Sequence, residues 1–442
     1  MTASLRPYPS YKDSGVEWLG KLPDQWGRRP LKRLVATPIT DGPHETPEFT
    51  LDGIPFLSVD SIVEGRLDFT SCRFISVADH ERYCRKCRPT RNDVLVGKAA
   101  SVGKIAVVDV DFEFNIWSPL AMLRPAPRLL VPQFLYYYLL SRTAQDEILL
   151  QCTHNTQNNI SMDDIGELAI PLPDPPEQQA IAAFLDRETQ RIDALVEKKK
   201  ELVELLQEKR TALISHAVTK GLDPNVRMKD SGVEWLGKIP QHWEATPLRR
   251  HWDVLDCKHV TVPFFPDGIP LVSVSEVQGS MLDLSCAKRT TREYVDVLVE
   301  GGRRPRRGDL IYCRNTSLGA AAYVNTNEEL AMGQDVCLIR TKTQNNRFLN
   351  YQLHSTSAAY QTQRVLVGST INRINVAVIR TLVLAVPPRD EQDRIVLLLD
   401  RETQRVDTMV EKVRRSIELL KEYRTALISA AVTGKIDVRG VA

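Results

Sequence analysis

Two stretches of this chain place apolar residues at the alternating three- and four-residue spacing of a coiled-coil seam, and they predict two long helices. In the first, over residues 177–219, the seam runs through Ile181, Leu185, Ile192, Leu195, Leu202, Leu206 and Leu213. The second repeats it with Ile395, Leu399, Val406, Met409, Val413, Leu420 and Leu427. Pro171-Leu172-Pro173-Asp174-Pro175-Pro176 precedes one helix and Val386-Pro387-Pro388 the other. Proline suits a helix start and breaks an interior, so both rods begin at defined places. Roughly 40 residues at about 1.5 Å each give a rod of about 60 Å. Neither stripe is satisfied alone, which predicts that the helices pack against each other, antiparallel because a globular segment intervenes.

The remaining stretches, residues 24–176 and 241–388, alternate between short β-rich runs and polar turns. Residues 54–59, 104–108 and 336–339 read as strands, while 134–150 and a counterpart from Phe348 onward read as helices. The predicted class is mixed α/β (α+β): two globular domains joined by two long antiparallel helices, with an internal pseudo-two-fold repeat.

That repeat is written in the letters. Residues 12–21, with Asp13-Ser14-Gly15-Val16-Glu17-Trp18-Leu19-Gly20 inside them, return unchanged at 229–238, and Pro23, Trp26, Pro30 and Leu31 reappear as Pro240, Trp243, Pro247 and Leu248. Leu-Asp-Arg-Glu-Thr-Gln-Arg at 185–191 recurs at 399–405, and Arg-Thr-Ala-Leu-Ile-Ser at 210–215 recurs at 424–429. Between these blocks the halves agree only in outline: Gly53-Ile54-Pro55 answers Gly268-Ile269-Pro270, and Asn92-Asp93-Val94-Leu95 answers Gly308-Asp309-Leu310-Ile311. A period of about 215 residues is far longer than a solenoid repeat, so whole domains are duplicated. The resulting organisation is 1–23 (repeated segment near the helix ends), 24–176 (first globular domain), 177–220 (central helix), 221–240 (repeated linker), 241–388 (second globular domain) and 389–442 (C-terminal helix and tail). One scaffold holding two readers of different things fits ends that are alike and middles that are not. Sites on one face of duplex DNA recur every turn, about 34–36 Å, and a protein reading two half-sites needs such an arrangement.

Composition narrows the class. Of 442 residues, 43% are hydrophobic and 26% charged, and no apolar run approaches the roughly 20 residues of a membrane span. The first seven residues lack the basic start and apolar middle of a secretory signal, which places the chain in the cytoplasm, away from membranes. Eight cysteines in a chain this long do not make a disulfide framework. With 58 basic against 56 acidic residues the net charge is only +2, so nucleic-acid binding has to come from local patches.

Such patches occur in corresponding places. Arg28, Arg29, Lys32 and Arg33 are mirrored by Arg249 and Arg250; Arg82, Arg85, Lys86, Arg88 and Arg91 face Arg303, Arg304, Arg306 and Arg307. The loop holding Lys98, Ser101 and Lys104 answers the one holding Arg314, Asn315, Thr316 and Ser317. Asn155, Thr156, Gln157 and Asn158 answer Thr370, Asn372 and Arg373. Arg and Lys neutralise phosphates, and Arg, Asn and Gln also pair with base edges. A lone basic cluster is commonly a solvated face; its recurrence in two divergent copies favours DNA contact.

The chain as a whole resembles the specificity subunits of type I restriction-modification systems. The most specific parts are the Asp-Ser-Gly-Val-Glu-Trp-Leu-Gly blocks at 13–20 and 230–237, the proline-rich start followed by Glu177-Gln178 and Glu391-Gln392, and the two repeated helices. The resemblance implies that each domain reads one half of a bipartite, asymmetric target and that the helices set the spacer. It also implies double-stranded DNA, two adenine methyltransferase subunits and motor/nuclease subunits as partners. S-adenosylmethionine, ATP and magnesium would belong to those partners, with no cofactor and no metal on this chain.

No catalytic motif holds. Asp174-Pro175-Pro176-Glu177 lacks the aromatic residue an adenine methyltransferase stacks on its flipped base, and the second copy reads Pro387-Pro388-Arg389. Pro173-Asp174 with Glu197 and Lys199 spells a nuclease motif, but residues two apart diverge on a helix, and Val413 replaces Lys199 in the second copy. No phosphate-binding loop or His-Glu-x-x-His occurs. Cys72, His80, Cys84 and Cys87 have ligand chemistry for zinc, yet the second half keeps only Cys286. The rival to a DNA reader is a pure protein scaffold, which a salt titration of DNA binding separates.

Overall fold

The computed structural model describes residues 6–154, 158–315, 319–366 and 373–440. Its contacts divide into two compact units, one of residues 1–199 with 415–442 and the other of 200–414. The fold is mixed α/β, as the sequence predicts.

In the first unit a four-stranded antiparallel sheet runs in the order Ile105–Val107, Val94–Gly97, Leu120–Leu123, Thr40–Asp41. A second sheet orders Asn115–Ile116, Ile54–Leu57, Arg73–Ile75 and Phe49–Thr50, with the first pair parallel. Leu57, Val59, Leu95, Ala106, Phe114 and Met122 form a core between them. The strand Gly27–Pro30 pairs with Ala169–Leu172, so the chain enters and leaves the domain side by side.

The second unit repeats this plan. Asp253–Asp256, Val336–Arg340, Leu310–Cys313 and Ala321–Tyr323 form the four-stranded sheet, and Lys288–Thr290, Ile269–Val272 and Ala331–Met332 the smaller one. Glu244–Pro247 pairs with Val383–Val386 at the domain's base.

The repeated letters have structural reasons. Each copy of the identical block folds as one hairpin, Tyr11–Asp13 with Lys21–Pro23 and Met228–Asp230 with Lys238–Pro240. Asp13 Oδ1 accepts the Gly15 N–H at 2.7 Å and Asp230 Oδ1 that of Gly232 at 2.9 Å. These glycines sit at φ +70° and +72°, where a Cβ is unfavourable. Trp26 and Trp243 are buried, and their indole N–H groups donate to Glu177 at 3.0 Å and Glu391 at 3.1 Å. The neighbouring Gln178 and Gln392 accept backbone N–H groups of Val131 and Asn345 at 2.8 and 2.9 Å. A buried aromatic and a buried amide thus fasten each domain to the first turn of its long helix.

Those helices span Pro175–Lys220 and Arg389–Val432. In the first unit Glu177 faces Arg439 at 3.5 Å and Asp193 faces Arg424 at 3.0 Å, so the segments run antiparallel. The second unit shows the same sense, with Arg210 on Asp407 at 2.9 Å and Ile214, Ala217 and Val218 packed with Ile395, Val396 and Leu399. The seam needs one correction. Leu195, Leu202 and Met409 are exposed, while Val196 and Val410 are buried and Val203 is half-buried. Strict alternation of four and three from Leu185 lands on Thr189, Ile192, Val196, Lys199, Val203 and Leu206. Choosing the larger leucine one place away moves a side chain about 100° around the helix. Leu185, Ile192, Leu399, Val406 and Leu427 are buried, and Leu206, Leu213, Val413 and Leu420 half-buried.

A second correction concerns residues 134–150. They form two helices, Pro132–Leu140 and Arg142–Gln151, because Ser141 is extended (φ −65°, ψ 149°) and its side chain caps the next helix at Ala144 N. The counterpart breaks likewise into Asn346–Leu353 and Thr356–Leu366.

Candidate nucleic-acid interface

Two loops that lie far apart in sequence come together in each unit. After the strand Val94–Gly97 the chain turns tightly, with Gly97 N–H donating to Lys104 O at 2.7 Å and Gly103 at φ +85°. On its outer side Ala99 bridges Asn159, and Ile160 N–H donates to Lys98 O at 2.9 Å. The second unit repeats this: Asn315 bridges Arg373 and Ile374 N–H donates to Arg314 O at 2.8 Å. The candidate segments around residue 98 and residue 158 are therefore one surface, as are those around 314 and 373. Asn155, Thr156, Gln157, Thr316, Ser317, Thr370 and Asn372 lie outside the described residues.

A third segment joins them. Asp41 is fully buried at the end of its edge strand, with Lys86 Nζ at 2.5 Å and Lys98 Nζ at 3.1 Å. Burial alone would raise its carboxyl, but the two lysines together hold it below the ordinary value. Asp256 occupies the same strand end in the second unit and pairs with Arg314, whose Nε donates to Ile374 O at 3.2 Å. The side chains of Lys98 and Arg314 are only 12% and 5% exposed. Both hold their loops in place, and neither reaches outward in this conformation.

Many other candidate cations are also engaged. Lys32 pairs with Glu167, Arg88 with Glu113 and Arg304 with Glu329. Arg82 meets Glu45 at 2.7 Å, Arg91 Asp111 at 2.7 Å, Arg250 Glu244 at 3.2 Å and Arg373 Asp335 at 3.3 Å. Arg303 is spent on the carbonyls of Asp256 and Glu300, both at 2.8 Å, and Lys104 on Val59 O at 3.4 Å. Arg28, Arg29, Arg33, Arg85, Arg249, Arg306 and Arg307 are exposed, as is Asn158; Ser101 and Asn315 are half-buried. Arg28 and Arg29 lie on the strand paired with Ile170 and Pro171, at the base of the domain where the long helix begins.

One feature escapes the sequence reading. Asp41-x-x-His44-x-Thr46 recurs as Asp256-x-x-His259-x-Thr261, and in each the histidine Nε2 faces its aspartate, at 3.1 and 3.4 Å. The repeated spacing is a legible signal, hidden because every intervening residue differs. Beside Thr261 a cavity of about 810 Å³ opens, lined by Phe264, Leu271, Ser273, Lys288 and Gln334 among others.

The candidate zinc ligands of the first unit do not assemble. His80 bonds Asn115 at 2.6 Å and Cys84 lies 3.6 Å from it, but Cys87 faces Met122 in the core. Asp256, Cys257 and His259 do bring donor atoms within 4.8 Å of one another. Arg314 already occupies that carboxylate, and burial and then Asp256 push the Cys257 thiol up, so the set is poorly prepared for a cation.

Comparison with known proteins follows the same lines. Residues 39–205 and 304–419, more than half the chain, match the family model of the type I restriction modification DNA specificity domain. The specificity subunit of the type I restriction enzyme EcoBI of Escherichia coli is 26% identical over 162 residues, covering 36% of this chain and 34% of that protein. The chain thus spans about a third of that relative. The StySPI specificity subunit of Salmonella potsdam is 22% identical over 441 residues, 95% of this chain and 91% of that one. Among solved structures, a chain from work on assembly and conformational transition of the type I R-M system superposes with a TM-score of 0.73 at 16% identity, covering 94% of this chain and 99% of its own. The HsdS subunit from Thermoanaerobacter tengcongensis gives 0.54 at 15% identity, covering 94% and 98%. These likenesses support the fold.

Proposed function

We propose a function from the premise that this chain belongs to the family of the type I restriction modification DNA specificity domain: each of its two units reads one half of a bipartite DNA target. The observation that carries this is the duplicated surface. Loops anchored by Lys98 on Asp41 and by Arg314 on Asp256 stand on the same strands, yet the residues they present differ. A common frame with different loop side chains is what reading two different half-sites requires.

The chain acts without catalytic groups of its own, in a type I complex in the cytoplasm. Adenine methylation comes from two copies of a methyltransferase subunit and restriction from motor/nuclease subunits, which carry S-adenosylmethionine, ATP and magnesium. Support for two equal partners lies in the repeated helices. Leu195 and Leu205 are exposed on one, and Met409 and Leu419 hold the matching places on the other, whereas exposed Leu202 is answered by Ser416. Apolar side chains at helical spacing outside the seam suit a partner helix. No helix among the described residues is long and apolar enough to cross a membrane.

The test is single-molecule sequencing of genomic DNA from cells making this chain with its methyltransferase, against cells lacking the chain. N6-methyladenine in one gapped, asymmetric motif is the expected result. A soluble complex that leaves no motif would favour a scaffold without DNA readout.

A further inference from the structure

We propose that the Asp-x-x-His-x-Thr element, present once in each unit, is a DNA contact made with the part of the duplex that both half-targets share; this rests on the reading that each unit binds one half. Its three recurring residues divide into an inner anchor and an outer pair. Asp41 and Asp256 end their edge strands and hold the loop cations, Lys98 and Arg314. This role explains why each aspartate recurs.

It does not explain the other two residues. The side chains of His44 and His259 are 68% and 53% exposed, and Thr46 and Thr261 are exposed as well. A solvent-facing histidine contributes little to a core, and the intervening residues differ between the copies, each fitted to its own unit: Gly42-Pro43 against Cys257-Lys258, and Glu45 against Val260, with Gly42 close against Ile116 O and Glu45 paired with Arg82. The hydrogen bond that Thr261 accepts from Gln334 at 2.8 Å belongs to the second unit, so it does not account for His and Thr recurring in both. Their retention beside the converging loops of both units points to a shared ligand, and DNA is the ligand those loops are placed to meet.

The chemistry is suited to it. Nε2 lies 3.1 Å from the aspartate in His44 and 3.4 Å in His259; His44 presents Nδ1 as its other hydrogen-bonding atom, while Nδ1 of His259 lies 3.7 Å from Cys257 Sγ, a weak contact that DNA would have to replace. An exposed imidazole and a hydroxyl two residues on offer hydrogen bonds to a base edge or a phosphate oxygen; the Thr261 hydroxyl accepts from Gln334 Nε2 at 2.8 Å and keeps its O–H to donate. Lys86, the Asp41 partner that remains exposed, supplies positive charge at the first site. At the second, half-buried Lys258 lies between the recurring residues and pairs with Glu300. Because the two units present different loop residues, what they hold in common must address what the two half-targets hold in common. That is the sugar-phosphate backbone, or a base pair fixed relative to the methylated adenine.

The experiment uses the full chain in complex with its methyltransferase, bound to duplex libraries in which one half of the genomic motif and then the other is randomised. The native complex must first select a two-part motif; if it does not, the parent reading fails on its own, before any variant is made. With the motif in hand, His44→Ala weakens binding about tenfold through one half only, and His259→Ala does the same through the other half. Loss at one base pair, equally spaced from the methylated adenine in both halves, identifies base contact; uniform loss over all sequences identifies phosphate. Binding equal to the native complex for both variants, or both variants acting on the same half, overturns the proposal. Melting curves accompany each variant. Where alanine lowers the melting temperature, His44→Leu and His259→Leu, which keep bulk but no hydrogen-bonding atom, separate a lost DNA contact from a weakened fold.

Discussion

Arg124 donates to Asp93 at 2.7 Å in the first unit, and Arg340 donates to Asp309 at 2.6 Å in the second. In both, the same carboxylate oxygen accepts a backbone N–H three residues upstream, from Thr90 at 2.8 Å and from Arg306 at 3.0 Å. The pair clamps the turn before the strand that carries the Lys98 loop in one unit and the Arg314 loop in the other. Arg124→Ala leaves a buried carboxylate short of its cation, and because the arginine is one-third exposed the expected loss is about 2 kcal/mol, below the range for fully buried pairs. Urea unfolding of the variant checks this; a loss under about 0.5 kcal/mol would show that the turn holds without the clamp.

The position of the seam is decided by two neighbouring residues. Val196 is buried and Leu195 exposed. Val196→Ala is expected to destabilise by about 1–2 kcal/mol and Leu195→Ala by less than about 0.5 kcal/mol. Thermal melting of the two variants side by side is sufficient, and the reverse order would restore the leucine-centred seam.

Asp41 makes stability depend on acid. Its folded carboxyl lies below the ordinary 3.8, so its contribution is complete above that value and is lost as pH falls through the lower, folded value. Asp41→Asn therefore destabilises the protein at pH 7, while the gap between variant and native protein narrows steadily below about pH 3.8. Denaturation at pH 7 and pH 3 measures it. An undiminished gap at low pH would mean that shape, and not charge, holds Lys86 and Lys98.

Modularity of readout has its own test. Replacing residues 24–176 with the equivalent domain of another family member should change one half of the methylated motif and leave the other intact, as read by genomic methylation sequencing. Changes in both halves would contradict independent readers.

Period and pattern along the chain were enough to reveal the duplication, the two long helices and the mixed α/β class. Hydrophobic spacing and exact repeats are local properties, and Trp26, Glu177 and Gln178 announce their shared role by recurring together. What the letters could not give is which distant groups meet. Lys98 reads as a cation free for DNA until the fold brings Asp41 against it, and Arg314 until Asp256 does so. The convergence of the loops near residues 98 and 158 depends on strand order, which sequence spacing does not fix. The choice between Leu195 and Val196 rests on helix-to-helix packing, where a turn of about 100° outweighs a larger side chain. Tertiary structure alone also separates the anchoring aspartates from the exposed histidines of the repeated element, because burial is a property of the assembled fold.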